Sequence, residues 1–176
     1  MEDKLAFRVI YADPPWSFND HLPGKGRGAS KHYHCLALDD IINYSLPPIA
    51  EDAWLFLWRV HTHQEEARYV MRAWGFNYCS EVIWKKLTKT GKRHFGMGRV
   101  LRQEHEICII GRRGKPQPAS HSVRSIIEAS VRRHSEKPEE MYELIEQLTG
   151  GGPYCELFAR THRSGWMMIG DELIQV

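Results

Sequence analysis

The sequence predicts an α/β domain built on a mostly parallel sheet. Three observations carry that prediction: apolar runs of strand length recur, helical periodicity stands between some of them, and turn residues bound each segment. The first run is Phe7 to Ala12 and the second Ala53 to Trp58. A helix is expected next, because Ala67, Val70, Met71 and Trp74 share one face and Gly75 follows as a C-terminal cap. Further strands are expected at Cys79 to Trp84 and Glu106 to Ile110. A second helix carries Met141, Leu144, Ile145 and Leu148 on one face. Pro138 suits its first turn, Glu139 and Glu140 favour its positive end, and Gly150 to Gly152 stop it. Tyr154 to Ala159 and Gly165 to Ile169 complete the set.

With 176 residues, 42% of them apolar, the chain is long enough for one core, and a single domain over residues 1–176 is expected. Its 24 Lys and Arg against 22 acids leave a net charge of +2, so any sign of a charged partner must lie in where the charges sit. Cys35, Cys79, Cys108 and Cys155 are scattered and form no Cys-x-x-Cys pair, which points to a reducing, cytoplasmic setting. The first residues do not read as a signal peptide, and runs such as "AWLFLW" are too short to span a bilayer, so a soluble protein without a membrane partner is expected.

The stretch "FRVIYADPPWSFND" runs a buried-looking strand straight into Asp13, Pro14, Pro15 and Trp16. Ligands of open α/β sheets bind beyond the carboxyl ends of strands, and Asp13 lies there. The prolines stiffen the turn and remove two donors, so carbonyls and a carboxylate gather beside an aromatic ring. Such a cage suits a planar group bearing an NH2: the oxygens accept its hydrogens and the ring stacks on its face. An exocyclic base amine fits that description. A strand-ending turn with no further role is the other reading.

At this point the chain resembles the MT-A70 family of adenine-amino methyltransferases. "DPPW" looks like its signature. Further blocks follow in the family's order: "KHYHCLALDDI" from Lys31, "LFLWRVHTHQEEARYVMRAWGF" from Leu55, "VIWKK" from Val82, "EHEICIIGRRG" from Glu104, "RRHSEKPEEMYELIEQL" from Arg132 and "ELFARTHRSGWMMIGDE" from Glu156. The resemblance implies a circularly permuted, Rossmann-like class I methyltransferase fold, mostly parallel with helices on both faces. Its methyl donor would be S-adenosylmethionine, with no metal. It also implies that Asp13, Lys137, Glu156, Phe158, Arg160, His162, Asp171 and Glu172 hold the cofactor. Glu156 and Arg160 would face its ribose, and Lys137 would lie near its carboxylate or the target base. Asp13, Pro14, Pro15 and Trp16 would be catalytic, while Tyr33 and Glu106 would lie near the acceptor base. Only a dozen residues precede Asp13. One wall of the adenine pocket is therefore expected to be missing, open, or supplied by a second copy or a heteromeric partner.

Seven basic residues and no acid lie between Lys85 and Arg102: Lys85, Lys86, Lys89, Lys92, Arg93, Arg99 and Arg102. Beside a base-modifying motif this run reads as a phosphate-gripping loop, whereas alone it would read as a solvated one. Ten histidines invite a metal reading, but neither His32-x-His34-Cys35 nor His61-x-His63 has a fourth ligand. Three functions follow as alternatives. The chain either methylates adenine in DNA at the 6-amino group, does the same in RNA, or is a non-catalytic nucleic-acid-binding subunit. Retention of both Asp13 and Trp16 favours activity, and the short chain favours DNA.

Overall fold

The computed structural model describes residues 5–17, 35–94, 96, 98, 100–132, 136–170 and 173. Phe7–Ala12 form β1, the strand on which the fold is centred. Its side chains are buried on both faces apart from Arg8, as expected of a strand covered by helices on either side. After it come α1 (Leu38–Ile42), β2 (Ile49–Arg59), α2 (Gln64–Ala73), β3 (Asn77–Leu87), β4 (His105–Arg113), β5 (Ile126–Ser130), α3 (Glu139–Thr149), β6 (Tyr154–Leu157) and β7 (Trp166–Ile169).

The strands form one seven-stranded sheet in the order β5-β3-β4-β2-β1-β6-β7. β1 pairs in parallel with both β2 and β6, β6 with β7, and β3 with β5. Only β4 runs against its neighbours β2 and β3, so the sheet is mostly parallel as expected. Its two faces carry separate cores. Ile41 of α1 and Ala67, Val70 and Met71 of α2 pack on Ile10, Leu55 and Leu57, while Met141, Leu144 and Ile145 of α3 pack on Val9, Tyr11 and Phe56. α2 approaches closely at Gly111 of β4, where a Cβ would stand 2.9 Å from the Met71 sulfur.

Local signals explain the element ends. α2 stops in a Schellman motif: Phe76 N–H donates to Met71 O at 3.0 Å and Gly75 N–H to Arg72 O at 2.9 Å, with Gly75 at φ 86°. Pro138 is the N-cap of α3, one position before the first turn where the sequence places it. β6 ends at Leu157 rather than Ala159, because Phe158 takes φ 60° and turns the chain out of the strand. The sequence does not announce α1 or β5. α1 is too short to show a period, and β5 alternates buried Ile127 and Ala129 with exposed residues at the sheet's edge. Among the described residues no helix is long and apolar enough to cross a membrane, and all four cysteines are free thiols.

The chain thus enters at the middle of the sheet, builds one wing from β2 to β5, and returns through α3 to the other side of β1 for β6 and β7. Strand order reverses between β1 and β6, and the crevice beyond their carboxyl ends is where such sheets bind ligands.

Candidate active site

A cleft of 570 Å³ opens at that crevice. The turn after β1 contributes Asp13, the ends of β2 and β3 contribute Trp58 and Lys86, and the chain just before α3 contributes Lys137. Glu106 joins them for a topological reason. Because β4 is antiparallel, its first residues lie at the edge where β1, β2 and β3 finish. β4 is also an interior strand, flanked by β2 and β3, so Glu106 is not an acid on an exposed sheet edge. Alternation puts the acids on one face. Glu156 is in register with Tyr11, and Glu106 with Trp84, and both partners pack under α3.

The charges form a chain across the cleft. Lys137 Nζ lies 2.7 Å from Asp13 Oδ2 and 3.2 Å from Glu106 Oε2, and Lys86 pairs with the other oxygen of Glu106. Both ammonium groups rest over aromatic faces, Lys137 5.2 Å from the Trp58 centroid and Lys86 5.0 Å from that of Trp84. Burial pushes Asp13 above the ordinary carboxylate range, and Lys137 counters this only in part. For Glu106, burial acts upward too, but Lys137 and Lys86 together hold it below its ordinary value. Burial pulls Lys137 down, and Asp13 and Glu106 more than offset that pull. Lys137 is therefore charged at neutral pH, and Asp13 is an acid whose negative charge the fold compensates incompletely.

The proline turn is held at both ends. Trp16 N–H donates to Pro14 O at 2.8 Å and Leu36 N–H to Pro15 O at 2.9 Å. The Pro14 carbonyl keeps a second lone pair for another donor. Trp16 differs from its expected place. Its ring is only 5% exposed, its Nε1–H donates to Trp58 O at 3.1 Å, and it packs in the α1/α2 core. It lines the cleft as an anchor of the turn rather than as an open stacking face.

On the cofactor side of the resemblance, Glu156 sits at the carboxyl end of β6, two positions before Phe158, whose ring lies 4.4 Å from that of Tyr44. Arg160 lines the cleft, and its charge acts to lower the pKa of Asp13. His162 is exposed and does not line the cleft. Burial pushes Glu156 up to about 7; the Tyr142 phenol, donating to Oε2 at 2.7 Å, opposes the rise, and Asp13 adds to it. Ionising Glu156 inside the fold thus costs about 3 kcal/mol more than in water. Tyr33, Arg99, Asp171 and Glu172 lie outside the described residues.

The basic run divides. Lys85 turns away from the cleft and pairs with Glu128 at 2.7 Å, while its neighbour Lys86 points in, because successive strand residues face opposite ways. Lys89, Lys92 and Arg93 are exposed on a tight reversal beyond β3, closed by Thr88 N–H to Lys92 O at 2.7 Å. The reversal returns to the cleft through His94. Two residues that the sequence reading passes over matter here. Trp58, the aromatic at a strand end on the cleft edge of the sheet, underlies Lys137; Tyr142, beside the apolar stripe of α3, reaches Glu156. Among the described residues no cluster of His, Cys, Asp or Glu is built to hold a metal, and His32 and His34 lie outside them.

A mostly parallel sheet with helices on both faces, entered at its middle and carrying an acidic turn at the switch point, is the α/β Rossmann-like methyltransferase fold. The chain belongs to the MT-A70 family, whose model matches residues 7–172. It is 32% identical over 176 residues to the human "N(6)-adenosine-methyltransferase catalytic subunit METTL3", covering 95% of this chain and 28% of that protein. It is 31% identical over 175 residues to the Arabidopsis thaliana "N(6)-adenosine-methyltransferase MT-A70-like", covering 95% and 24%. The "Type II methyltransferase M.MunI" of Mycoplasma sp is 27% identical over 187 residues, covering 95% and 78%. The chain therefore spans about a quarter of the human and plant relatives' length and most of the Mycoplasma enzyme's.

Proposed function

We propose that this protein transfers a methyl group from S-adenosylmethionine to the 6-amino group of adenine in DNA. The observation that carries the proposal is the partly buried, incompletely compensated carboxylate of Asp13 at the switch point of an MT-A70 fold. The residues suit the cofactor's chemistry. Asp13 favours a cation beside it, Glu156 accepts from vicinal hydroxyls, and Lys137 lies within reach of a carboxylate that enters between them. S-adenosylmethionine, when bound, supplies a methyl group already activated by the positive sulfur.

The protein's own task is the amine. Its lone pair is delocalised into the adenine ring, and acceptance of its hydrogens by Asp13 and the Pro14 carbonyl draws it toward tetrahedral geometry. The carboxylate also offsets the positive charge that develops on nitrogen. Alignment supplies much of the rate, and the extra proton leaves after transfer, so Asp13 need not be a strong base. Glu106 and Lys86 border the same space and accept from or donate to the base edge. The base must be unpaired or flipped out of a duplex to reach them.

The test is transfer of labelled methyl to duplex DNA, single-stranded DNA and RNA of matched sequence, followed by digestion to nucleosides. We expect 6-methyladenine in DNA; methylcytosine as the only product would sink the amine assignment. The relatives named adenosine methyltransferases favour RNA as a second reading. Label confined to RNA would replace the DNA assignment with that one.

The basic reversal is proposed to grip phosphate. Replacing Lys89, Lys92 and Arg93 together by alanine is expected to weaken DNA binding and to flatten its salt dependence by about 0.9 in log-log slope per lost phosphate contact. Cofactor affinity should hold. An unchanged slope in a binding titration across salt concentrations would mean that the reversal is only solvated.

A further inference from the structure

Tyr142 stands in the first turn of α3 and reaches down to the sheet, where its phenol donates to Glu156 Oε2 at 2.7 Å. Its ring is fixed from several sides. Tyr11 meets it edge-on at 5.1 Å and Trp166 at 5.2 Å, and the Arg163 guanidinium lies 4.4 Å from its centroid. Arg163 is itself held by Glu139 and Glu146 of the same helix, and Glu146 also accepts from Trp166 Nε1 at 2.8 Å. The phenol is thus a preorganised donor on a rigid mount, aimed at one oxygen of a carboxylate.

We propose that Tyr142 is a positioning residue for cofactor binding: it fixes the Glu156 carboxylate so that its remaining acceptor capacity faces the cofactor. This rests on the proposed contact between Glu156 and the cofactor. A buried phenol that had merely found an acceptor would satisfy itself and nothing else. A positioning phenol also stabilises the ionised form of the acid it holds, because it donates to that form. The two roles separate by titration.

The experiment measures binding of S-adenosylmethionine by calorimetry across neutral pH, for the wild type, Tyr142→Phe, Glu156→Gln and the double variant. The Glu156 carboxyl is followed in parallel by carbon NMR in the protein without cofactor. Tyr142→Phe keeps the ring contacts and removes only the hydroxyl. In the wild type, binding should tighten as pH rises through about 7. Tyr142→Phe should weaken it about tenfold at neutral pH, the expected scale for one charge-assisted hydrogen bond, and move both the binding midpoint and the carboxyl titration to higher pH. In the double variant the loss should be no larger than in Glu156→Gln alone. An unshifted carboxyl titration, or losses that simply add, would overturn the proposal while leaving Glu156 as a cofactor contact. If Glu156→Gln binds like the wild type, the contact between Glu156 and cofactor falls, and the role of Tyr142 falls with it.

Discussion

Asp13→Asn is expected to slow methyl transfer by about two to three powers of ten, the scale of losing one preorganised electrostatic partner of a developing charge. The substitution keeps the shape of the side chain but removes its negative charge. It can also turn an NH2 toward the substrate amine, setting donor against donor. Lys137 would keep Glu106 as a partner at 3.2 Å, so the turn need not collapse. Asp13 is also proposed to lie near the cofactor's positive groups, so binding and chemistry must be separated. Single-turnover methylation at saturating cofactor and nucleic acid does that, with circular dichroism to check the fold. A variant within threefold of wild type would reduce Asp13 to a turn residue.

Lys137→Met should produce the largest change in stability. Lys137 is the foremost cation compensating Asp13 and is shared with Glu106. Removing it strands negative charge that is only partly exposed, which costs up to about 3 kcal/mol, the figure for a fully buried pair. The pH dependence has a definite sign. Without Lys137, Asp13 rises further above its unfolded value, so the folded state binds protons that the unfolded state has released. The penalty is then full above the raised value and disappears as pH falls below about 4, the ordinary carboxylate range. Denaturant unfolding of the variant and the wild type, compared at mildly acidic and at neutral pH, measures it. Glu106 retains Lys86, so the second-site remedy is specific: Asp13→Asn in the Lys137→Met background should restore most of the lost stability. A loss equal at both pH values, or no recovery in the double variant, would show that the lysine acts by packing on Trp58 alone.

Much of this molecule is set by local pattern. Period and turn chemistry are properties of neighbouring residues, so β1, α2, α3 and the glycine that closes α2 are legible in the amino-acid sequence by itself. The same holds for Asp13 at a strand end, since a buried apolar run followed by Asp-Pro-Pro defines its own boundary. The tertiary structure decided what depends on distant partners. The antiparallel run of β4 brought Glu106 to the cleft, although nothing within "EHEICIIGRRG" specifies its direction. Pairing of β3 with β5 and β4 sent Lys85 to Glu128 and Lys86 to Glu106, splitting a run that reads as one basic patch. Packing against α1 and α2 buried Trp16, whose type suggests an open stacking face. Burial between sheet and α3 tied Tyr142 to Glu156 and moved that acid toward neutral pH. Strand order and direction are non-local because they are fixed by which faces the whole chain can bury at once. Residue type and spacing therefore named the acids and lysines of the site, and only the fold determined which of them meet.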